Sequence, residues 1–102
     1  MHQILCVEDA PEYQLLAKRS LAHLDLTCVA SAEEALILLE KNSFDLILLD
    51  LTLPQKDGYA FLAEIQSNQA IWNTPVFCLS GKTNVTDKVM AFSLGAEDYI
   101  TK

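Results

Sequence analysis

The sequence predicts an α/β domain built on a doubly wound, five-stranded parallel sheet with helices on both faces. Three observations carry that expectation. Short β-rich apolar runs alternate with longer segments of helical period, the order expected of βαβ units. The run Leu46-Ile47-Leu48-Leu49 is continuously apolar, as in a strand covered on both faces of a parallel sheet. The chain has 102 residues, 51% of them hydrophobic, which suits one domain with a packed core. Right-handed crossovers then leave few topologies.

Each element has its own local reason. Ile4-Leu5-Cys6-Val7 is the first strand, ended by Glu8-Asp9. From Pro11 to about Leu24, apolar residues at Tyr13, Leu16, Ala17, Leu21 and Leu24 recur at the spacing of one helix face. Pro11 suits the first turn, where its missing N–H costs nothing. Thr27-Cys28-Val29-Ala30 is a short second strand. Ser31-Ala32-Glu33-Glu34 has the capping-box pattern, and the helix it opens turns Ala35, Leu38 and Leu39 inward and ends near Asn42. The third strand, Leu46 to Leu49, stops at Asp50. Pro54 and Asp57-Gly58 mark a loop, followed by a helix carrying Phe61, Leu62 and Ile65. Pro75 opens a fourth strand, Val76-Phe77-Cys78-Leu79, which ends at Ser80-Gly81. A fourth helix runs from about Asn84 to Leu94 with Gly95 as its cap, and Tyr99-Ile100-Thr101 is the fifth strand. A fifth helix, needed to cover one face beside the last strands, has no counterpart in these residues. Either Phe77 and Leu79 or Val76 and Cys78 are then expected on an uncovered face.

Charge and composition exclude several function classes. Fourteen acidic residues against seven basic ones give a net charge of −7. That balance disfavours direct nucleic-acid binding, which needs clustered Lys and Arg, and disfavours an anionic membrane surface. Three cysteines, Cys6, Cys28 and Cys78, form an odd count in apolar runs and read as free core thiols in a reducing compartment. The short apolar N-terminus is no signal peptide and no run approaches a membrane span, so a cytoplasmic protein is expected. His2, His23 and Trp72 show no partner pattern and read as structural.

The chemistry concentrates at the strand ends, where open α/β sheets bind ligands. The first strand ends in Glu8-Asp9, the third in Asp50, the fourth in Ser80 and the fifth at Lys102. Carboxylates crowded together repel unless a cation joins them. All-oxygen donors without His or Cys indicate Mg²⁺, with Mn²⁺ as a substitute. A lysine and a hydroxyl opposite such an ion supply what a phosphoryl group needs. A carboxylate can itself be the nucleophile, and Asp50, ending the most buried strand, is the natural choice.

These residues carry a resemblance. Glu8-Asp9, Asp50 with Leu53-Pro54 and Asp57-Gly58 after it, Ser80-Gly81, Gly95-Ala96-Glu97-Asp98-Tyr99 and Lys102 resemble the receiver domain of two-component response regulators. The intervals match over the whole chain, 1–102. The resemblance implies the flavodoxin-like sheet order 2-1-3-4-5, with the final helix missing. It implies Asp50 as phosphoacceptor and Mg²⁺ held by Asp9, Asp50 and the Thr52 backbone carbonyl, with Glu8 acting through water. Ser80 would bond a phosphoryl oxygen, Lys102 would pair with the phosphoryl group, and Tyr99 resembles the aromatic whose rotamer follows the Ser80 hydroxyl. The implied donor is a phosphohistidine on a sensor histidine kinase or a histidine phosphotransfer protein, and the implied reader is an output domain or downstream protein. Such a domain catalyses its own phosphotransfer and dephosphorylation and is otherwise no enzyme. Two departures stand out: Glu-Asp replaces the usual acidic Asp pair, and the proline after the lysine and the fifth helix are absent.

Rival readings make different demands. A haloacid-dehalogenase-type phosphatase needs a second Asp two residues after its nucleophile, where this chain has Thr52. A flavodoxin-like redox protein needs a Gly- and hydroxyl-rich phosphate loop where Glu8-Asp9-Ala10-Pro11 stands. A receiver used for phosphorylation-independent protein contacts would not need an intact acidic site. Beginning at Met1, the domain is expected to be a stand-alone regulator or an N-terminal module. Its bare sheet face is expected to be covered by further chain or by a second copy in a homodimer.

Overall fold

The structure, a computed structural model, describes residues 3–51, 58–68, 74–80 and 85–101, with the side chains at 80, 85–87, 100 and 101 outside that description. His2, Pro54, Asp57, Trp72, Gly81 and Asn84 lie outside the described residues. Among the described residues nine elements alternate: β1 (Gln3–Val7), α1 (Pro11–Ser20), β2 (Asp25–Val29), α2 (Ala32–Lys41), β3 (Leu46–Asp50), α3 (Gly58–Ser67), β4 (Val76–Ser80), α4 (Val85–Ser93) and β5 (Asp98–Thr101). All neighbouring strands are parallel, and the sheet order is β2-β1-β3-β4-β5. The expected fold class and order are therefore present. Among the described residues no helix is long and apolar enough to cross a membrane.

The parallel pleat sorts the core into two unequal halves. Leu5, Val7, Ile47, Leu49, Val76 and Cys78 point to one face, where Ala32, Ala35 and Leu39 of α2, Phe61, Leu62 and Ile65 of α3 and Ala91 of α4 close over them. Ile4, Cys6 and Leu48 point to the other face, where Ala17, Leu21 and Leu24 pack together with Phe77 and Leu79. Among the described residues three helices thus pack on the first face and one on the second. Between α1 and strands β1, β3 and β4 the second face opens into a groove of about 550 Å³, lined by residues such as Leu16, Leu21, Leu48, Phe77 and Leu79. Of the two β4 pairs, Phe77 and Leu79 are the one that lines this groove, each half-buried. Burial in the opposite, closed face pushes the Cys78 thiol up to about 12, which keeps it protonated and unreactive.

Local signals set the helix ends. Ser31 Oγ accepts from the Glu34 N–H at 3.2 Å, while the Glu34 carboxylate accepts from the Ala30 N–H, one residue before the usual capping-box donor. After α4, the Ala96 N–H reaches the Ala91 carbonyl and the Gly95 N–H reaches that of Phe92, the paired bonds of a Schellman ending. Gly95 takes the left-handed φ of +104° this ending requires.

Helix α1 departs from expectation in its length. It stops at Ser20 instead of near Leu24, and Leu21 and Leu24 reach the core from the turn that follows. None of its residues is buried, with Tyr13 40% and Leu16 58% exposed. Tyr13, Leu16 and Ala17 line the open groove, with Ala17 partly buried against the core of that face.

Candidate functional site

The register of the central strands builds the site. Val7 of β1 stands opposite Leu49 of β3, so the residues that follow, Glu8 and Asp50, leave the sheet at the same height. This edge lies between β1 and β3, where the chain first crosses to β2 on one side and then to β3 on the other. Such a switch point opens a crevice at the carboxyl ends of the strands.

Glu8, Asp9 and Asp50 meet there, each offering a carboxylate oxygen, and these oxygens all lie within 4.8 Å of one another. Glu8 and Asp50 are each only 1% exposed, whereas Asp9 faces solvent. Two carboxylates at such depth, with a third beside them, repel in their charged forms unless a cation joins them. The donor set is all hard oxygen, and so fits Mg²⁺ or Mn²⁺ rather than a thiolate- or imidazole-seeking metal.

The surrounding backbone is tied down. The Glu8 N–H donates to the Val29 carbonyl at 3.0 Å, and the Glu8 carbonyl accepts from the Gln14 side-chain amide on α1. Beyond Asp50, the Leu51 N–H donates to the Leu79 carbonyl and the Leu51 carbonyl accepts from the Gly58 N–H, both at 3.1 Å. Gly58 opens α3 directly against this peptide: a Cβ there would meet the Leu51 Cα and lie 2.7 Å from the Asp50 carbonyl oxygen. The glycine is needed for close approach, and it fixes the backbone that carries Asp50.

Of the other residues singled out in the sequence, Ser80 is the last residue of β4, next to the carboxylate edge in the strand order, though its hydroxyl lies outside the described residues. Thr52 and Lys102 lie outside them too. Tyr99 is half-buried in β5, opposite Cys78 in register, and packs on the larger core. Its ring carries the Lys88 ammonium of α4 at 5.9 Å from the centroid. Gln14 and Lys88 escape a reading of motifs because both act through contacts made only in the fold. Gly58 was legible as a turn residue, and its packing against Asp50 was not.

Comparison with known proteins converges on one family. A family model for the response regulator receiver domain matches residues 4–102. A probable cyclic di-GMP phosphodiesterase of Vibrio cholerae is 35% identical over 100 residues, covering 97% of this chain and 23% of that protein. The transcriptional regulatory protein TcrA of Mycobacterium tuberculosis is 35% identical over 102 residues, covering 98% of this chain and 40% of that protein. The chain thus spans less than half the length of these curated relatives. Among solved structures, the phosphorylated cyanobacterial phytochrome response regulator RcpA superposes on all of this chain and 81% of its own, with a TM-score of 0.93 at 35% identity. The Mn²⁺-bound response regulator Rcp1 does so over the same shares, with a TM-score of 0.91 at 31% identity.

Proposed function

Because the chain belongs to the family of response regulator receiver domains, we propose that it accepts a phosphoryl group on Asp50 from a phosphohistidine of a sensor histidine kinase or histidine phosphotransfer protein. The observation that carries this reading is the buried Asp50 carboxylate at the end of a central strand, with Glu8 and Asp9 beside it. The phosphorylated state named for RcpA and the Mn²⁺ named for Rcp1 support the same reading. Receiver domains are in general signalling domains and not enzymes acting on a separate substrate. The phosphodiesterase activity in one relative's name belongs to a protein of which the match covers under a quarter.

The chemistry is a displacement at phosphorus. An Asp50 carboxylate oxygen forms the new O–P bond as the P–N bond of the phosphohistidine breaks, and the bonding pair leaves on the imidazole nitrogen. Asp9, Asp50 and the Thr52 carbonyl would hold Mg²⁺, with Glu8 contributing through water. The ion, when bound, offsets the negative charge of carboxylates and phosphoryl oxygens. Asp50 is kept in place by the bonds on either side of Leu51 and by the close approach of Gly58. Ser80 would donate its hydroxyl to a phosphoryl oxygen and Lys102 would pair its ammonium with the group. Tyr99 would then follow the Ser80 hydroxyl and alter the α4–β5 surface that an output partner reads. The transcriptional regulators among the relatives support such an output. Water attack on the acyl phosphate resets the site.

The test is labelling with acetyl phosphate or beryllofluoride with and without Mg²⁺. The wild-type protein should be modified only with the cation present, Asp50→Asn should not be modified, and Asp9→Ala should lose most of its Mg²⁺ affinity. Stoichiometric labelling of Asp50→Asn would falsify the assignment. A folded wild-type protein inert under all these conditions would favour the phosphorylation-independent interaction module instead.

A further inference from the structure

One residue of α1 holds the chain on both sides of Asp9. The Gln14 side-chain amide donates to the Glu8 carbonyl, and the Gln14 backbone N–H donates to the Ala10 carbonyl at 3.1 Å. The backbone bond belongs to the first turn of the helix. The side-chain bond reaches back past that turn to the residue that follows β1. A peptide group is planar, so fixing the Glu8 carbonyl also fixes the Asp9 N–H and the direction in which its Cα lies.

The three carboxylates differ in how the fold holds them. Glu8 and Asp50 are buried, so packing sets their place, whereas Asp9 is exposed. Helix α1 is itself loosely seated. None of its residues is buried, and its N-cap is Ala10, whose methyl accepts no hydrogen bond. Gln14 is half-buried, as only Ala17 is elsewhere on this helix. A tie from Gln14 to the end of β1 therefore anchors the helix start and the Asp9 backbone together.

We propose that Gln14 is a positioning residue for the cation site, its amide holding the Asp9 backbone so that this carboxylate meets Glu8 and Asp50. This rests on the reading of Asp9 as a Mg²⁺ ligand. Hydrogen bonds one layer out from a metal orient the groups that bind it. Mg²⁺ depends on them most, because it demands near-ideal octahedral geometry where Ca²⁺ accepts a flexible one. Gln14 supplies both reach and a donor. Methionine keeps the length and lacks the donor, and asparagine keeps the donor and is one methylene short.

Calorimetric titration of the 102-residue chain with Mg²⁺ and, separately, with Ca²⁺ tests this. Gln14→Met should bind Mg²⁺ about two- to tenfold more weakly than the parent, the range that one hydrogen bond spans. Its Ca²⁺ affinity should fall by less, so the preference for Mg²⁺ over Ca²⁺ drops. Gln14→Asn should do the same, and it replaces the methionine form should that fail to fold. A merely structural role would lower the melting temperature and leave the Mg²⁺ preference at the parent value, which overturns the proposal. Parent affinities in both variants also overturn it, and the Mg²⁺ reading survives if Asp9→Ala still loses binding. A parent protein that binds no Mg²⁺, or binds it equally well after Asp9→Ala, removes that reading and the proposal with it.

Discussion

At the residue scale, the site is set by what each position forbids. Glycine at 58 exists because α3 begins against the Asp50–Leu51 backbone, where a methyl group has no space. Gly58→Ala should therefore cost about 1–3 kcal/mol, as overpacking does. It should also displace the strand end that carries Asp50. Urea denaturation reads the first effect and Mg²⁺ titration the second. A variant with parent stability and parent Mg²⁺ affinity would show that the backbone yields freely there. The acidic residues were legible in the sequence because strand ends in a parallel sheet gather on one edge, so Glu8, Asp9 and Asp50 could be placed together before any coordinate. Gln14 and Lys88 were not legible. Neither belongs to a motif, and their partners, the Glu8 carbonyl and the Tyr99 ring, are brought to them only by the packing of α1 and α4 on the sheet.

At the element scale, the sequence was most informative where one short-range rule decides. Ser31 and Glu34 announce the start of α2 and Gly95 its counterpart at the end of α4, and both ends form where the pattern puts them. Replacing the cap by Ser31→Ala should destabilise the protein by about 1 kcal/mol. The loss should appear in thermal melts while phosphoacceptor chemistry is kept, since α2 packs on the face away from the groove and contributes no site residue. A melting curve unchanged by the substitution would mean that α2 is held by Ala32, Ala35 and Leu39 alone. Periodicity misled for α1. The 3.6-residue pattern ran on through Leu21 and Leu24 because those side chains do pack inward, yet they do so from a turn.

At the scale of the molecule, the imbalance between the two faces dominates. A helix laid over the groove would take apolar surface out of water at about 25 cal/mol per Å², a contribution measured against the stability of a small domain, about 5–15 kcal/mol. We propose that this face is covered in the working protein, by further chain or by a second copy. The 102-residue chain alone should bind a hydrophobic dye while still melting cooperatively, and Leu79→Glu should reduce that signal. Light scattering distinguishes self-cover from bare exposure. A strictly monomeric protein that binds no dye would show that the face needs no cover. The carboxylate edge has a different consequence. Its carboxylates stand at the ends of β1 and β3, which meet only after α1, β2 and α2 have been folded between them. An unfolded chain therefore holds no such chelate, and any cation the edge binds weighs on the native side of the folding equilibrium alone. Such a ligand adds about 2.7 kcal/mol at a hundredfold excess over its Kd. Divalent ion concentration would then set how long this chain survives a protease, quite apart from any signal it carries.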